Sequence, residues 1–203
     1  MKNKLSILIV LITWFAVLTQ YYLMIDNKVT SILETTIRFF SFFTILTNLL
    51  VAIYFTLSLI KKTNNPLLPI NKPGTLTAVT VYITIVGIVY QVLLRHTWEP
   101  KGAQKVVDEL LHTVIPILVI VFWFLYEQKE TIGYKQIFKW LIYPSIYLIY
   151  ILIRGNISNF YPYPFIDVGN IGLKQVFINS ARLILFFVFI SAGYIKLGKI
   201  IKK

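Results

Sequence analysis

Apolar residues run along this chain in six long stretches, at residues 5–25, 37–60, 75–94, 106–126, 137–153 and 175–195, with short segments of charges, prolines or glycines between them. A run of about 20 apolar residues, rising about 1.5 Å each as a helix, matches the roughly 30 Å hydrocarbon core of a bilayer. Backbone polar groups find no partner in lipid, so only helices and closed barrels cross it. The strict alternation of barrel strands is absent, and the stretches predict helices. The fifth is the shortest and spans only if Lys139 draws its ammonium back to the interface. The expected fold is all-α, a polytopic membrane protein built as a six-transmembrane-helix bundle. No stretch is long enough to be a linker, so one integral membrane domain over 1–203 is expected.

Composition agrees with the pattern, and charge orients it. The 203 residues are 57% hydrophobic and 14% charged, against about 45–50% and about 25% in soluble domains, which excludes a water-soluble globule. A formal charge of +12 would suit nucleic acid, but the lysines and arginines stand at the ends of apolar spans, and no nucleic-acid partner is expected. Lys2, Lys4, Lys61, Lys62, Lys72, Lys129, Lys135, Lys139, Lys196, Lys199, Lys202 and Lys203 fall on one side of the six spans. Lys28, Arg95, Lys101, Lys105, Arg154 and Lys174 fall on the other. Twelve against six predicts a cell-membrane protein with cytoplasmic N- and C-termini. The first apolar run is too long for a signal peptide and is followed by no small-residue cleavage pattern, so it reads as an uncleaved span. Without cysteine there is no disulfide, thiol nucleophile or thiolate metal site.

In that orientation the polar residues inside spans collect at the outer ends. At 100° per residue Ser41, Thr44 and Asn48 fall within an arc of roughly 60°, with Arg38 near its edge. Gly87, Gln91 and Arg95 form an i, i+4, i+8 stripe, the fourth span enters through Asp108, Glu109, His112 and Pro116, and the sixth carries Asn179 and Arg182. Ser41, His112, Asn179 and Arg182 come to lie on the order of 6–12 Å below the outer boundary. Groups of that kind at membrane depth face a bundle interior or a wet cavity, so a shared polar cavity in the outer leaflet is expected. Small hydroxyls at helical spacing also serve as packing contacts between membrane helices, and a histidine inside a bundle also serves as a plain hydrogen-bond partner.

The chemistry centres on His112. Imidazole works as a general base near neutral pH, and a hydroxyl nucleophile needs such a base beside it. Ser41 or Thr44 would be that hydroxyl, with Asp108, one turn before His112, orienting the ring. Arg38, Asn48, Gln91, Arg95, Asn179 and Arg182 would contact a substrate drawn from membrane lipids or a lipid-like small molecule. With few acids to pair them, Arg38 and Arg182 are expected to hold an anionic headgroup or fatty carboxylate between them. Glu109-x-x-His112 is half of a di-iron bundle motif without its second half, and no metal or cofactor is expected. A non-enzymatic binder or transporter of an amphipathic anion and a structural membrane protein are the alternatives. Against transport, no pair of Gly/Pro-broken spans recurs in the two halves.

Four stretches together resemble the bacterial six-span membrane proteins called the Pr-six-Pr family. They are Phe42-Phe43-Thr44-Ile45-Leu46-Thr47-Asn48, Leu93-Leu94-Arg95-His96-Thr97-Trp98-Glu99-Pro100, His112-x-x-x-Pro116, and Tyr161-Pro162-Tyr163-Pro164-Phe165-Ile166-Asp167. That family often has an acid just before the tryptophan ending the fourth span, where this chain has Phe122 before Trp123. More distantly the chain is similar to the androgen-induced and androgen-dependent membrane proteins, threonine hydrolases of fatty acid esters of hydroxy fatty acids. In register, Arg38-Phe39-Phe40-Ser41-Phe42 puts Ser41 at their nucleophilic threonine and Asn48 at a glutamine, and His112 opens a stretch one residue shorter than theirs. The resemblance implies a lipid-ester hydrolase with a hydroxyl nucleophile and a histidine.

Orientation is directly testable. An impermeant maleimide is expected to label Ala103→Cys in intact cells; labelling only after lysis would reverse the topology and move the polar ends to the inner leaflet.

Overall fold

The computed structural model describes residues 1–60 and 72–201, and every regular element among them is helical. Lys61, Lys62, Lys202 and Lys203 of the charge count lie outside the described residues. Six helical spans, Lys2–Asp26, Phe43–Ile60, Thr75–Thr97, Ala103–Tyr126, Gln136–Ser158 and Val168–Ile200, are long and apolar enough to cross a membrane. The protein is an all-α, multi-pass membrane protein. Where the sequence reads as one undivided domain, contacts group the chain into two compact units, Met1–Thr131 and Ile132–Lys203.

The first unit holds α1 (Lys2–Asp26), α2 (Ile32–Phe39), α3 (Phe43–Ile60), α4 (Thr75–Val89), α5 (Gly102–Glu109) and α6 (Ile115–Tyr126). At its centre is α4, whose span is 67% buried against 22% for α1. The cause is local, because residues 75–94 carry no charge and present Val, Ile, Thr and Ala on every side, as a helix enclosed by other helices must. α3 and α6 pack on α4, and α1 closes the bundle against both.

The second span begins later than its apolar pattern suggests. Ser31 Oγ accepts the Glu34 N–H and starts the short amphipathic α2, which Tyr21 pins to α1 through its hydroxyl on Thr36 (2.9 Å) and its ring edge-to-face on Phe39 (5.0 Å). The chain then tightens, Ser41 N–H bonding Arg38 O and Phe42 N–H bonding Phe39 O, and α3 starts at Phe43. The expected helix over 37–60 is therefore corrected to two helices, and Arg38 and Ser41 do not share the helical face of Thr44 and Asn48. An i→i−3 turn breaks the 100° relation on which that face rested.

At the opposite end of this unit Trp123 Nε1 donates to Thr77 Oγ1 (2.8 Å), and Thr77 donates onward to Glu127 Oε2 (2.9 Å). Burial pushes the Glu127 carboxyl above its usual value. Lys129 ends α6 by donating to Phe124 O (2.7 Å), a cation satisfying a terminal carbonyl.

The second unit holds α7 (Gln136–Trp140), α8 (Ile142–Ser158) and α9 (Val168–Ile200), and both spans outrun the expected 137–153 and 175–195. α8 ends on Asn159 in the left-handed conformation (φ 52°), after which Tyr161 folds back over Gly155. Asp167 caps α9 by accepting the Asn170 N–H, and Gly172 (φ 75°) breaks the helix one turn later. Two polar residues hold the segment between: Arg154 donates to Ser158 Oγ (2.7 Å) and Phe160 O (3.2 Å), and Asn179 Nδ2 donates to Phe165 O (3.0 Å).

A Cβ on Gly155 would stand 2.1 Å from the Tyr161 ring, whereas one on Gly193 meets nothing within 4 Å. Gly155→Ala is expected to destabilise the purified protein by roughly 1–3 kcal/mol in thermal unfolding, an overpacking cost relieved in a Tyr161→Ala background, while Gly193→Ala leaves stability unchanged or slightly raised.

Candidate functional site

α4 and the α5–α6 pair both change pitch at one level of the first unit. After Val89 the chain makes a π turn, Tyr90–Leu94, with Arg95 N–H on Tyr90 O; after Glu109 it makes another, Leu110–Val114, with Ile115 N–H on Leu110 O. A π turn inserts an extra residue into the helix and re-aims the side chains around it. Pro116 supplies a local reason for the second, since it has no N–H to offer the preceding turn. Leu111 O, in that turn, accepts Asn48 Nδ2 from α3 at 3.4 Å. Gly87 of α4 lies against His112 O, which an added Cβ would approach to 3.2 Å, so the absence of a side chain there allows the close crossing.

Asp108, 3% exposed, joins the two turns. Its Oδ2 accepts the Tyr90 hydroxyl, its Oδ1 lies 3.2 Å from His112 Nδ1, and its backbone oxygen lies 2.9 Å from the same nitrogen. Both neighbours of Nδ1 are acceptors, so Nδ1 carries a proton, and in the neutral ring Nε2 keeps the lone pair. Nε2 makes no hydrogen bond among the described residues. The Tyr90 and His112 rings stack with centroids 3.9 Å apart and planes 10° from parallel. The His112 side chain retains 12% exposure.

A ring of hydrogen bonds lies beside this cluster. Gln91 Nε2 donates to Thr113 Oγ1 (2.9 Å), Thr113 donates to Glu109 Oε2 (2.8 Å), Arg95 Nη2 pairs with Glu109 Oε1 (2.5 Å), and Arg95 Nη1 returns to Gln91 Oε1 (2.6 Å). It ties the end of α4 to α5 and commits both oxygens of Glu109. Among the described residues no three His, Asp or Glu side chains gather as a metal site.

The remaining sequence candidates fall into three groups. Ser41 is fully buried at the α2–α3 break and donates to Ile37 O (2.7 Å), while Thr44 is buried on α3. Asn48 also donates to Thr44 O (2.9 Å), and its buried Oδ1 meets no donor among the described residues. Arg38 pairs with Glu34 one turn earlier at 2.7 Å, which corrects the expectation of an arginine short of acids. In the second unit Asn179 holds the Phe165 carbonyl and accepts from Gln175 (2.9 Å), and Arg182 is exposed with no hydrogen bond or ion pair among the described residues. Sequence reasoning missed Tyr90. It stands at i+3 from Gly87, at the edge of the Gly87–Gln91–Arg95 stripe, and its N–H still bonds Val86 O as in a regular helix, so helical spacing was the signal that could have found it. Comparison with known protein families, characterised proteins and solved structures finds no match to this chain.

The buried and exposed carboxylates are expected to differ in worth. Asp108→Ala strands the Tyr90 hydroxyl, leaves the His112 N–H only the backbone oxygen of residue 108, and is expected to cost about 3 kcal/mol in thermal unfolding in detergent. Glu109→Gln, whose ion pair is a third or more exposed, is expected to cost less than about 1 kcal/mol. Equal losses would mean that Asp108 is not the hub.

Proposed function

We propose that this protein is an intramembrane hydrolase of lipid esters. The observation that carries the reading is His112, held at Nδ1 by Asp108 with Nε2 open, inside an apolar bundle. This is the arrangement a general base needs: one nitrogen fixes the ring while the other takes a proton. The resemblance to the Pr-six-Pr family and to the androgen-induced membrane proteins supports the same chemistry, with Ser41 in register with the nucleophile and Thr44 one turn further on. The charge count supports a site in the outer leaflet of the cell membrane, with both termini in the cytoplasm.

In this mechanism the Ser41 or Thr44 oxygen attacks the ester carbonyl carbon as its proton passes to His112 Nε2. The tetrahedral intermediate collapses, the carbon–alkoxy bond breaks, and the proton goes from Nε2 to the leaving alcohol. Water then adds to the acyl-enzyme with Nε2 again as base, and collapse returns the proton to the enzyme hydroxyl and frees the fatty acid. Asp108 stays ionised and steadies the imidazolium. The oxyanion needs donors not already committed. Both amide hydrogens of Asn48 have acceptors, at Thr44 O and Leu111 O, which disfavours it for that task.

One observation favours a second reading, a binder of an amphipathic anion: Arg182 is an exposed guanidinium within a membrane span, a position an anionic headgroup would stabilise. An alkyl fluorophosphonate separates the two. Under the hydrolase reading it adds to one hydroxyl of the intact protein, and Ser41→Ala or Thr44→Ala abolishes the adduct. His112→Ala is expected to lower kcat for a long-chain ester about 10³-fold, and the nucleophile–base double variant to be little worse than either single one. Normal hydrolysis by both hydroxyl variants would end the hydrolase reading, and retention of anionic lipid that depends on Arg182 would replace it.

A further inference from the structure

We infer that Tyr90 is a positioning residue that holds His112 in the Nδ1–H tautomer, leaving Nε2 as the only basic nitrogen. The inference rests on the reading of His112 as a base, but its physical content is independent of any reaction. The backbone oxygen of Asp108, 2.9 Å from Nδ1, already favours the Nδ1–H tautomer, but the Asp108 side chain by itself specifies the imidazole loosely. Its Oδ1 stands 3.2 Å from Nδ1, long for a charge-assisted bond, and a carboxylate with one free oxygen turns about its terminal bond at little cost. The Tyr90 hydroxyl on Oδ2 removes that freedom and leaves Oδ1 on the imidazole side. The two rings supply the second constraint. Stacked at 3.9 Å and 10° from parallel, the phenol ring covers one face of the imidazole, so a flip that exchanges its nitrogens for carbons would sweep through the phenol.

Tyr90 is 4% exposed and stands on the last regular turn of α4, where the π turn opens, while His112 lies within the facing π turn. A tyrosine placed only to fill the core would need a partner for its hydroxyl. Here the partner is the carboxylate that also touches the base. One side chain thereby fixes both the acceptor and the plane of the imidazole.

The test is imidazole ¹⁵N spectroscopy on the full chain in detergent micelles with labelled histidine, in a His96→Gln background so that His112 alone reports. At neutral pH the wild-type ring is expected to show Nδ1 as the protonated nitrogen and Nε2 as the unprotonated one. Tyr90→Phe keeps the stacked ring and removes the hydroxyl; it is expected to populate both tautomers and, with a turnover assay, to lower kcat on the order of tenfold or more at unchanged KM. Tyr90→Leu removes both constraints and is expected to mix the tautomers further. An Nε2–H tautomer in the wild type overturns the inference without recourse to any variant, and so does a Tyr90→Phe spectrum identical to wild type. Because the spectra need no substrate, mixed tautomers in a protein that hydrolyses no ester would uphold the role of Tyr90 while removing the hydrolase reading.

Discussion

A carboxylate buried among apolar helices has to be fully engaged by donors, and the arrangement of the first unit follows from how Asp108 meets that demand. Desolvating an ionised carboxyl costs several kcal/mol, which only close, well-directed hydrogen bonds offset. Tyr90 approaches from α4 and His112 from its own helix, so the carboxylate is satisfied only where the two spans touch. Both spans pass through π turns at that level, Gly87 removes a side chain from the crossing, and Pro116 leaves the second turn short of a donor. Asn48 of α3 supplies a donor to Leu111 O and draws a third helix into the assembly. The apolar area of the bundle holds these helices together, but it is sequence-tolerant; the register of α4 against α5–α6 is set by the polar contacts between them, Tyr90–Asp108, Gln91–Thr113 and Trp123–Thr77 among them, and by the backbone irregularities around the first.

Polar residues elsewhere in the spans perform a different task. Arg154 and Asn179 hold carbonyls of the segment between α8 and α9, and Lys129 holds a carbonyl at the end of α6. Each gives a terminal or irregular stretch the donor it would otherwise lack in lipid. Gln91, Arg95, Glu109 and Thr113 bond to one another at a more exposed edge, where water shares the load. Among the described residues, only Asp108, Tyr90 and His112 combine a buried carboxylate, hydrogen bonds drawn to it from two elements and a ring nitrogen that makes no hydrogen bond. Depth and spacing on the sequence treat all of these residues alike, yet the surrounding backbone decides which of them brace the fold and which are left with a lone pair to offer.

The sequence by itself determined that the protein is a six-span helical membrane protein. Run length against bilayer thickness, and the need to satisfy every backbone group in lipid, leave no other architecture for residues so apolar. It also determined that Asp108 and His112 meet, because an i, i+4 pair on one helix is neighbourly whatever surrounds it. Helical periodicity failed wherever the helix was not regular. It continued the second span through residues 40–42, where i→i−3 turns separate Arg38 and Ser41 from Thr44 and Asn48. It overlooked Glu34 as the partner of Arg38, since that acid lies before the apolar stretch from which the span was read. It set Tyr90 beside Gly87 by i, i+3 spacing without singling it out, since nothing local separates a tyrosine that fills the core from one whose hydroxyl meets a buried carboxylate on another helix. The tertiary structure alone decided that two π turns would face each other across Gly87, because the carboxylate, the phenol and the imidazole are satisfied together only at that crossing.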